Sequence, residues 1–151
     1  KLGFAEPSAE VGQLFGELLQ LMAQHECDYT LTFKVIGDRL APEGAAKIPA
    51  DIYTLPEAFG GWAENWHNLL ASSNIEKAAA HSLMVKSNPA YIPRNHQIEA
   101  AIQQATRSGD FGLFHQLVEV LANPFEYRDE NKAFSLAPEP EEEVKKTFCG
   151  T

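Results

Sequence analysis

The chain has 151 residues, 44% of them hydrophobic, and carries a formal net charge of -9 at pH 7. This length and apolar content are sufficient for one compact domain with its own hydrophobic core, and short for two. The acidic balance and the scattered positions of the 12 basic residues argue against a surface that binds nucleic acid or an anionic membrane, because such a surface needs clustered lysine and arginine.

The cysteine content and the hydropathy of the chain predict a cytoplasmic protein. The two cysteines, Cys27 and Cys149, do not make a disulfide framework and suit a reducing compartment. No apolar run approaches the length of a membrane span, and no basic-then-apolar leader precedes a small-residue cleavage site. The sequence starts at Lys1 rather than at a methionine, so we expect a processed chain or one part of a longer protein.

Helical periodicity dominates the first third of the sequence. Ser8 is placed to cap a helix that runs to about His25, and Asp28 is placed to cap a second helix that ends before Pro42. Residues 42–56 contain three prolines and a glycine, which predicts an irregular loop with at most one helical turn. The apolar positions of the two helices are Val11, Leu14, Phe15, Leu18, Leu19, Leu21, Met22, Leu31, Phe33, Val35, Ile36 and Leu40.

The helical pattern resumes after Pro56 with a third and a fourth helix. The third contains Trp62 and Trp66, whose spacing of four residues predicts two core side chains on one helix face. Asn74 is predicted to cap the fourth helix, which runs to about Lys86. The alanine-rich middle of this fourth helix is expected to let a neighbouring segment approach closely.

A fifth and a sixth helix follow one another closely. Asn95 is predicted to cap the fifth helix, which stops at Gly109, a residue suited to the left-handed conformation. Asp110 is predicted to cap the sixth helix, and Pro124 ends it. The apolar positions of the two helices are Ile98, Ala101, Ile102, Ala105, Phe111, Phe114, Leu117, Val118 and Leu121.

The predicted fold is all-α, with about six helices in an orthogonal array over residues 1–122. Residues 123–151 lose the helical periodicity and contain Pro138, Pro140 and an acidic run from Glu139 to Glu143, which predicts an extended C-terminal tail. The sequence contains few β-branched residues and no hairpin signal, which excludes a substantial sheet.

The segment Asn88–His96, called the connector below, lies between the fourth and the fifth predicted helix. Its two prolines prevent either flanking helix from continuing through it. One interpretation is a rigid connector whose Tyr91 and Ile92 fill the core. The other is a binding or catalytic loop that presents Arg94 and His96. Residue types alone favour the rigid connector.

Other candidate chemistries lack the residues that they need. Asp110-Phe111-Gly112 spells the kinase metal-binding tripeptide, but the surrounding kinase motifs are missing, so a capping role is predicted. Glu64 and His67 have the Glu-x-x-His spacing of di-iron bundles without the second copy, so no metal site is predicted. The chemistry of Cys149 alone favours an inert exposed thiol.

Five short motifs are spread over most of the chain, and the pairing of the connector motif with the C-terminal one is specific. They are Asp28-Tyr-Thr-Leu-Thr-Phe33, Asn88-Pro89-Ala-Tyr-Ile-Pro-Arg94-Asn95-His96, Glu99-Ala-Ala-Ile102, Ser108-Gly-Asp110 and Thr147-Phe-Cys149-Gly-Thr151. Together they resemble the C-terminal part of the selenoprotein O family. Members of that family are similar to protein kinases but transfer AMP from ATP to protein hydroxyls, with magnesium or manganese.

The resemblance implies that the catalytic machinery lies outside this chain. The family's nucleotide-binding and catalytic residues belong to its N-terminal and middle portions, so no catalytic residue and no bound cofactor are predicted here. Cys149 stands third from the end, where many members carry selenocysteine and bacterial members carry cysteine. The resemblance implies a redox switch in which this residue bonds a cysteine near the active site. Cys27 does not match that partner, so a Cys27–Cys149 bond is not expected.

Two functions of different classes follow. The first is the helical C-terminal domain of a selenoprotein O-like adenylyltransferase, which supports the kinase-like remainder, delivers Cys149 to it, and is inactive alone. The second is a free-standing helical interaction module that binds a partner through an apolar groove. If the chain is one part of a longer protein, the surface facing the remainder should expose apolar side chains, and we expect self-association of the isolated chain.

Overall fold

The computed structural model describes residues 1–142, which form six α-helices, three short 3₁₀-helices and no strand. The α-helices are α1 (Ala9–Gln24), α2 (Tyr29–Asp38), α3 (Gly60–Ser72), α4 (Lys77–Ser87), α5 (Asn95–Ser108) and α6 (Gly112–Ala122). The 3₁₀-helices are Glu57–Phe59, Asp129–Phe134 and Pro140–Glu142. The predicted all-α fold of about six helices is confirmed. No helix in residues 1–142 combines the length and apolar character needed to cross a membrane.

The first hydrophobic cluster is built mainly by α1, α2, α3 and α4. The rings of Trp62 and Trp66 stack with centroids 5.9 Å apart, and their indole N–H groups donate to the carbonyls of Leu14 and Leu2, at 2.9 Å each. Both tryptophans are therefore core residues, as predicted. The buried members of the cluster are Leu2, Leu14, Leu18, Met22, Phe33, Ile36, Leu40, Phe59, Trp62, Ala63, Trp66, Leu70, Ala80 and Met84.

The second hydrophobic cluster lies around the connector. Its buried members are Leu31, Ile48, Ala90, Tyr91, Val120 and Tyr127. Helix α2 contributes to both clusters, because Phe33 and Ile36 belong to the first and Leu31 belongs to the second. Seven of its residues are buried, including Lys34 and Asp38, which form a buried ion pair within the helix.

The N-terminal segment passes against α4 at the predicted close approach. Gly3 has a φ of +87°, and a Cβ placed on it would lie 2.8 Å from the Cβ of Ala80. A side chain at position 3 would therefore collide with the helix. The small residues on both sides explain why the segment can lie so close to α4.

Three of the predicted helix ends are confirmed. The side chain of Ser8 accepts a hydrogen bond from the backbone N–H of Val11 at 3.2 Å. That of Asp28 accepts from the N–H of Leu31 at 2.7 Å. Gly109 follows α5 in the left-handed conformation, with φ 69°.

Three predicted caps are wrong, because Asn74, Asn95 and Asp110 do not occupy the N-cap positions of α4, α5 and α6. Asn74 has a φ of 53° and lies in the turn before Glu76, which occupies the N-cap position of α4. Asparagine tolerates the left-handed conformation, so the α3–α4 turn uses its backbone rather than its side chain. Asn95 is the first residue of α5, and Arg94 occupies the N-cap position without a side-chain hydrogen bond to the helix.

The segment after α6 lacks α-helix up to residue 142, as predicted, but it is not simply extended. It contains two of the 3₁₀-helices, and its residues Tyr127 and Ser135 are buried. This segment therefore packs against the helices. The residues from Glu143 to Thr151, including Cys149, lie outside the described residues.

Candidate functional site at the connector

The connector joins α4 to α5 and is partly buried in the fold. Four of its residues are at most 7% exposed, namely Asn88, Ala90, Tyr91 and Arg94. Pro89 and Ile92 are half-buried, and Pro93 is exposed. Each proline lacks a backbone donor and restrains the residue before it, so α4 ends at Ser87 and α5 begins only at Asn95.

Asn88 ties the beginning of the chain to the end of α4. Its side-chain amide donates to the carbonyl of Lys1 at 2.8 Å, and its Oδ1 accepts from the ammonium group of Lys1 at 3.3 Å. Its backbone N–H donates to the carbonyl of Met84 at 2.9 Å. Asn88 is only 1% exposed, so these bonds supply the partners that a buried amide requires.

Tyr91 ties the connector to the segment after α6. Its hydroxyl accepts from the N–H of Arg128 at 2.8 Å and donates to the carbonyl of the same residue at 3.1 Å. The backbone N–H groups of Ala90 and Tyr91 both donate to the carbonyl of Pro124, at 2.7 and 3.1 Å. The Tyr91 ring stacks on Tyr127 with centroids 6.3 Å apart. The interpretation of Tyr91 as a core residue is confirmed, whereas Ile92 is only half-buried and lines a surface cleft.

Arg94 ties the connector to the start of α2. Its Nη1 donates to Oδ2 of Asp28 at 2.7 Å, and the two side chains are 6% and 17% exposed. The other carboxylate oxygen of Asp28 accepts the N–H of Leu31, so one carboxylate both caps α2 and holds the guanidinium. Arg94 therefore braces the fold and is not presented on the surface.

Two donors of Arg94 are enclosed without a partner among residues 1–142. These are Nε and Nη2, and Oε1 of the buried Gln97 is unpaired within the same part of the chain. The Nε2 of Gln97 donates to the carbonyl of Ala133 at 3.1 Å. The hydrogen bond from Gln97 therefore links the first turn of α5 to the segment after α6. Asp28 and Gln97 were not predicted as parts of this site, because each lies outside the local pattern of the connector.

Asn95 and His96 line a shallow cleft at the start of α5. The cleft has a volume of about 370 Å³ and is lined by Ile92, Pro93, Arg94, Asn95, His96, Pro138 and Glu142. Asn95 is exposed and His96 is half-buried. Burial lowers the pKa of His96, the charge of Arg94 lowers it further, and Glu142 raises it. At neutral pH the imidazole is therefore mostly uncharged, and it can donate one hydrogen bond and accept another.

The structure also shows the surroundings of Asp110, Glu64 and His67, the other groups considered for chemistry. Asp110 accepts from the N–H of Gly112 at 2.8 Å, but Phe111 occupies the N-cap position of α6. The predicted capping role of Asp110 is therefore wrong, and its carboxylate closes a local turn just before the helix. Glu64 is exposed, and the ring of the half-buried His67 packs on Trp66 with centroids 4.7 Å apart. Within residues 1–142, no group of three or more histidine, cysteine, aspartate or glutamate side chains is placed to hold a metal ion.

The fold and the connector together define a helical domain held by one buried, hydrogen-bonded crossing segment. A family model described as protein adenylyltransferase SelO matches residues 1–122, and the chain belongs to that family. The predicted resemblance is thereby confirmed.

Several proteins named protein nucleotidyltransferase YdiU are similar to the whole chain. The protein from Rhodopseudomonas palustris (strain BisB5) is 39% identical over 151 residues, which cover 100% of this chain and 31% of that protein. The protein from Nitrobacter hamburgensis is 41% identical over 152 residues, which cover 100% of this chain and 30% of that protein. The chain therefore spans slightly less than a third of the length of these relatives.

Proposed function

We propose that this chain is the helical C-terminal domain of a protein adenylyltransferase and that it is inactive alone. The activity proposed for the whole protein is the transfer of AMP from ATP to protein hydroxyls, in the cytoplasm, with magnesium or manganese. The family match over residues 1–122 carries this proposal. The 30–31% share of the relatives' length supports a catalytic portion that lies elsewhere in the polypeptide.

The connector acts in this proposal as an internal brace and not as a reactive loop. Asn88, Tyr91 and Arg94 each bind a different part of the chain, and all three are buried. A segment with such ties holds the helices in one arrangement and gives the remainder of the protein a fixed surface to pack on. The half-buried His96 and the exposed Asn95 are the polar connector side chains that are accessible to that remainder.

Cys149 is proposed as a redox switch that bonds a cysteine in the remainder of the protein. A peroxide is the proposed oxidant: each of the two thiols gives up a proton and an electron, the peroxide is reduced to water or alcohol, and the sulfurs become joined. Peptide mapping of the peroxide-treated full-length protein under non-reducing conditions tests this step. We expect Cys149→Ser to abolish the cross-linked peptide and Cys27→Ser to leave it intact. A Cys27–Cys149 peptide would overturn the assignment.

The proposed activity is tested by comparing the full-length polypeptide with the isolated chain. Each is incubated with labelled ATP, magnesium or manganese, and a protein acceptor. We expect AMP incorporation with the full-length protein and background incorporation with the isolated chain. Robust transfer by the isolated chain would show that it contains catalytic residues of its own and would overturn the proposal.

A free-standing interaction module is the second candidate function. The observation that favours it is an apolar surface on α5 and α6, where Ile102 and Phe114 are each 51% exposed. The size of the native gene product discriminates between the two functions. A natural product of about this length favours the module, and a product of the relatives' length favours the domain.

A further inference from the structure

Helices α5 and α6 form an apolar groove, called the α5–α6 groove below, on the outside of the molecule. Its volume is about 540 Å³. Five of the large side chains on its walls are 38% to 54% exposed, and they are Ile98, Ile102, Phe111, Phe114 and Val118. Soluble proteins expose single apolar side chains freely, but a contiguous set of this kind marks an interaction surface.

The α5–α6 groove offers no free polar group to a ligand. Thr106 is the one hydroxyl among its lining residues, and its Oγ1 already donates to the carbonyl of Ile102 at 2.9 Å. The polar pair Gln103–Glu99 is hydrogen-bonded on the exposed surface of α5, outside the set that lines the groove. The chemistry of the groove therefore selects apolar side chains and disfavours a charged metabolite or a nucleotide.

The exposed apolar area of the groove distinguishes between the kinds of partner that could cover it. A large hydrophobic side chain offers roughly 150–250 Å² when fully exposed, so five that are about half exposed present on the order of 500 Å². A stable association between separate proteins buries about 800 Å² on each partner. A segment of the same polypeptide can occupy a smaller surface, because covalent linkage supplies a high effective concentration.

We propose that the α5–α6 groove is the surface on which the portion of the polypeptide outside this chain packs, through an apolar segment of its own. This rests on the proposed function, because it requires a longer protein. About 70% of the relatives' length lies outside the region that this chain matches. Helices α5 and α6 also lie wholly within residues 1–122, the range matched by the family model.

Thiol labelling in the full-length protein tests the proposal on two neighbouring positions of α5. In a Cys27→Ser, Cys149→Ser background, Ile102→Cys reports on the groove and Gln103→Cys is the matched control on the exposed surface. We expect a maleimide to react with Ile102→Cys at least about tenfold more slowly than with Gln103→Cys in the native protein, and at the same rate in urea. Val118→Cys repeats the test from the α6 wall.

Three results would overturn the proposal. Equal native rates at the two positions would show that the groove is open. If the protection disappears on dilution as a dimer dissociates, a second copy of the protein covers the groove. Protection that disappears when residues 143–151 are removed would assign it to the chain's own C-terminal end.

The AMP-transfer assay on the unsubstituted full-length protein, read together with the labelling result, separates this proposal from the proposed function. A full-length protein that transfers AMP while its groove reacts freely would refute the docking surface and leave the activity standing. A protein with a protected groove and no transfer would refute the activity and leave the docking surface standing.

Discussion

The ion pair between Arg94 and Asp28 connects the connector to a helix 66 residues earlier in the chain. We expect Arg94→Ala to lower the free energy of unfolding by about 2–4 kcal/mol, because the substitution leaves a mostly buried carboxylate without its cation. Urea denaturation of the variant and the unmodified protein measures this difference. Arg128→Ala is the control, since the Arg128–Glu126 pair is exposed on both sides, and we expect no measurable change.

The same Arg94→Ala substitution in the full-length protein distinguishes bracing from participation in the proposed reaction. A brace predicts that the proposed AMP transfer per folded molecule stays unchanged while the protein becomes easier to unfold. Loss of transfer at unchanged stability would instead show that the guanidinium acts on the proposed catalytic portion.

Buried tyrosines make the stability of the fold sensitive to alkaline pH. Burial raises the pKa of Tyr127 to about 12 and also raises the pKa of Tyr91. The folded state therefore holds these phenolic protons more tightly than the unfolded chain, whose tyrosines titrate near 10. Their contribution to stability is complete below about pH 10 and is lost as the pH rises towards 12.

The alkaline prediction is checked by urea midpoints measured between about pH 9 and pH 12. We expect the urea midpoint to fall less steeply with pH in Tyr127→Phe than in the unmodified protein. Tyr29→Phe is the comparison, because Tyr29 is 48% exposed and its substitution should leave the slope unchanged. An identical decline in all three proteins would mean that other groups cause it.

Glycine has opposite effects on stability at Gly109, which ends α5, and at Gly16, which lies inside α1. We expect Gly109→Ala to destabilise the protein by about 1–2 kcal/mol, because an L-residue is strained in the left-handed conformation. A Cβ there would meet no atom within 4 Å, so the cost is conformational. Gly16→Ala lies in the interior of α1, also without a neighbour within 4 Å, and we expect stabilisation by about 0.5–1 kcal/mol. Thermal unfolding of both variants shows whether each substitution lowers or raises the stability.

Helix positions could be predicted from the sequence because periodicity and end residues are local signals. Ser8, Asp28 and Gly109 act where the pattern places them. The prediction for Asn74 is wrong because asparagine suits both a cap and a left-handed turn, and only the path of the chain decides between them. The predicted caps Asn95 and Asp110 each lie one position away from the true N-cap residue, since local sequence does not fix a helix end to a single residue.

The contacts that define the site could not be predicted in the same way. The sequence indicates that Arg94 follows a proline, but its partner Asp28 becomes visible only when two distant segments are folded together. Periodicity likewise identifies the apolar stripes of α5 and α6 without showing which neighbour covers them. Ile102 and Val118 belong to these stripes, yet they are 51% and 54% exposed.

At the scale of the whole molecule, the open groove predicts weak self-association of the isolated chain. A surface on the order of 500 Å² per copy is below the size of a standard interface, so the association should appear only at high concentration. Sedimentation over a range of concentrations measures it. We expect Val118→Asp to abolish it and Leu83→Asp, on the exposed surface of α4, to leave it unchanged. A monomer at every concentration would contradict the prediction.

Because α2 contributes to both hydrophobic clusters, the two halves of the interior cannot melt independently. Tryptophan fluorescence reports on the first cluster through Trp62 and Trp66. The part of the near-ultraviolet dichroism that Tyr127→Phe removes reports on the stacked pair of Tyr91 and Tyr127 in the second. We expect both signals to change at the same urea concentration, as one cooperative transition. Two separate midpoints would show that α2 does not couple them. A single transition means that damage to either cluster lowers the stability of the entire domain.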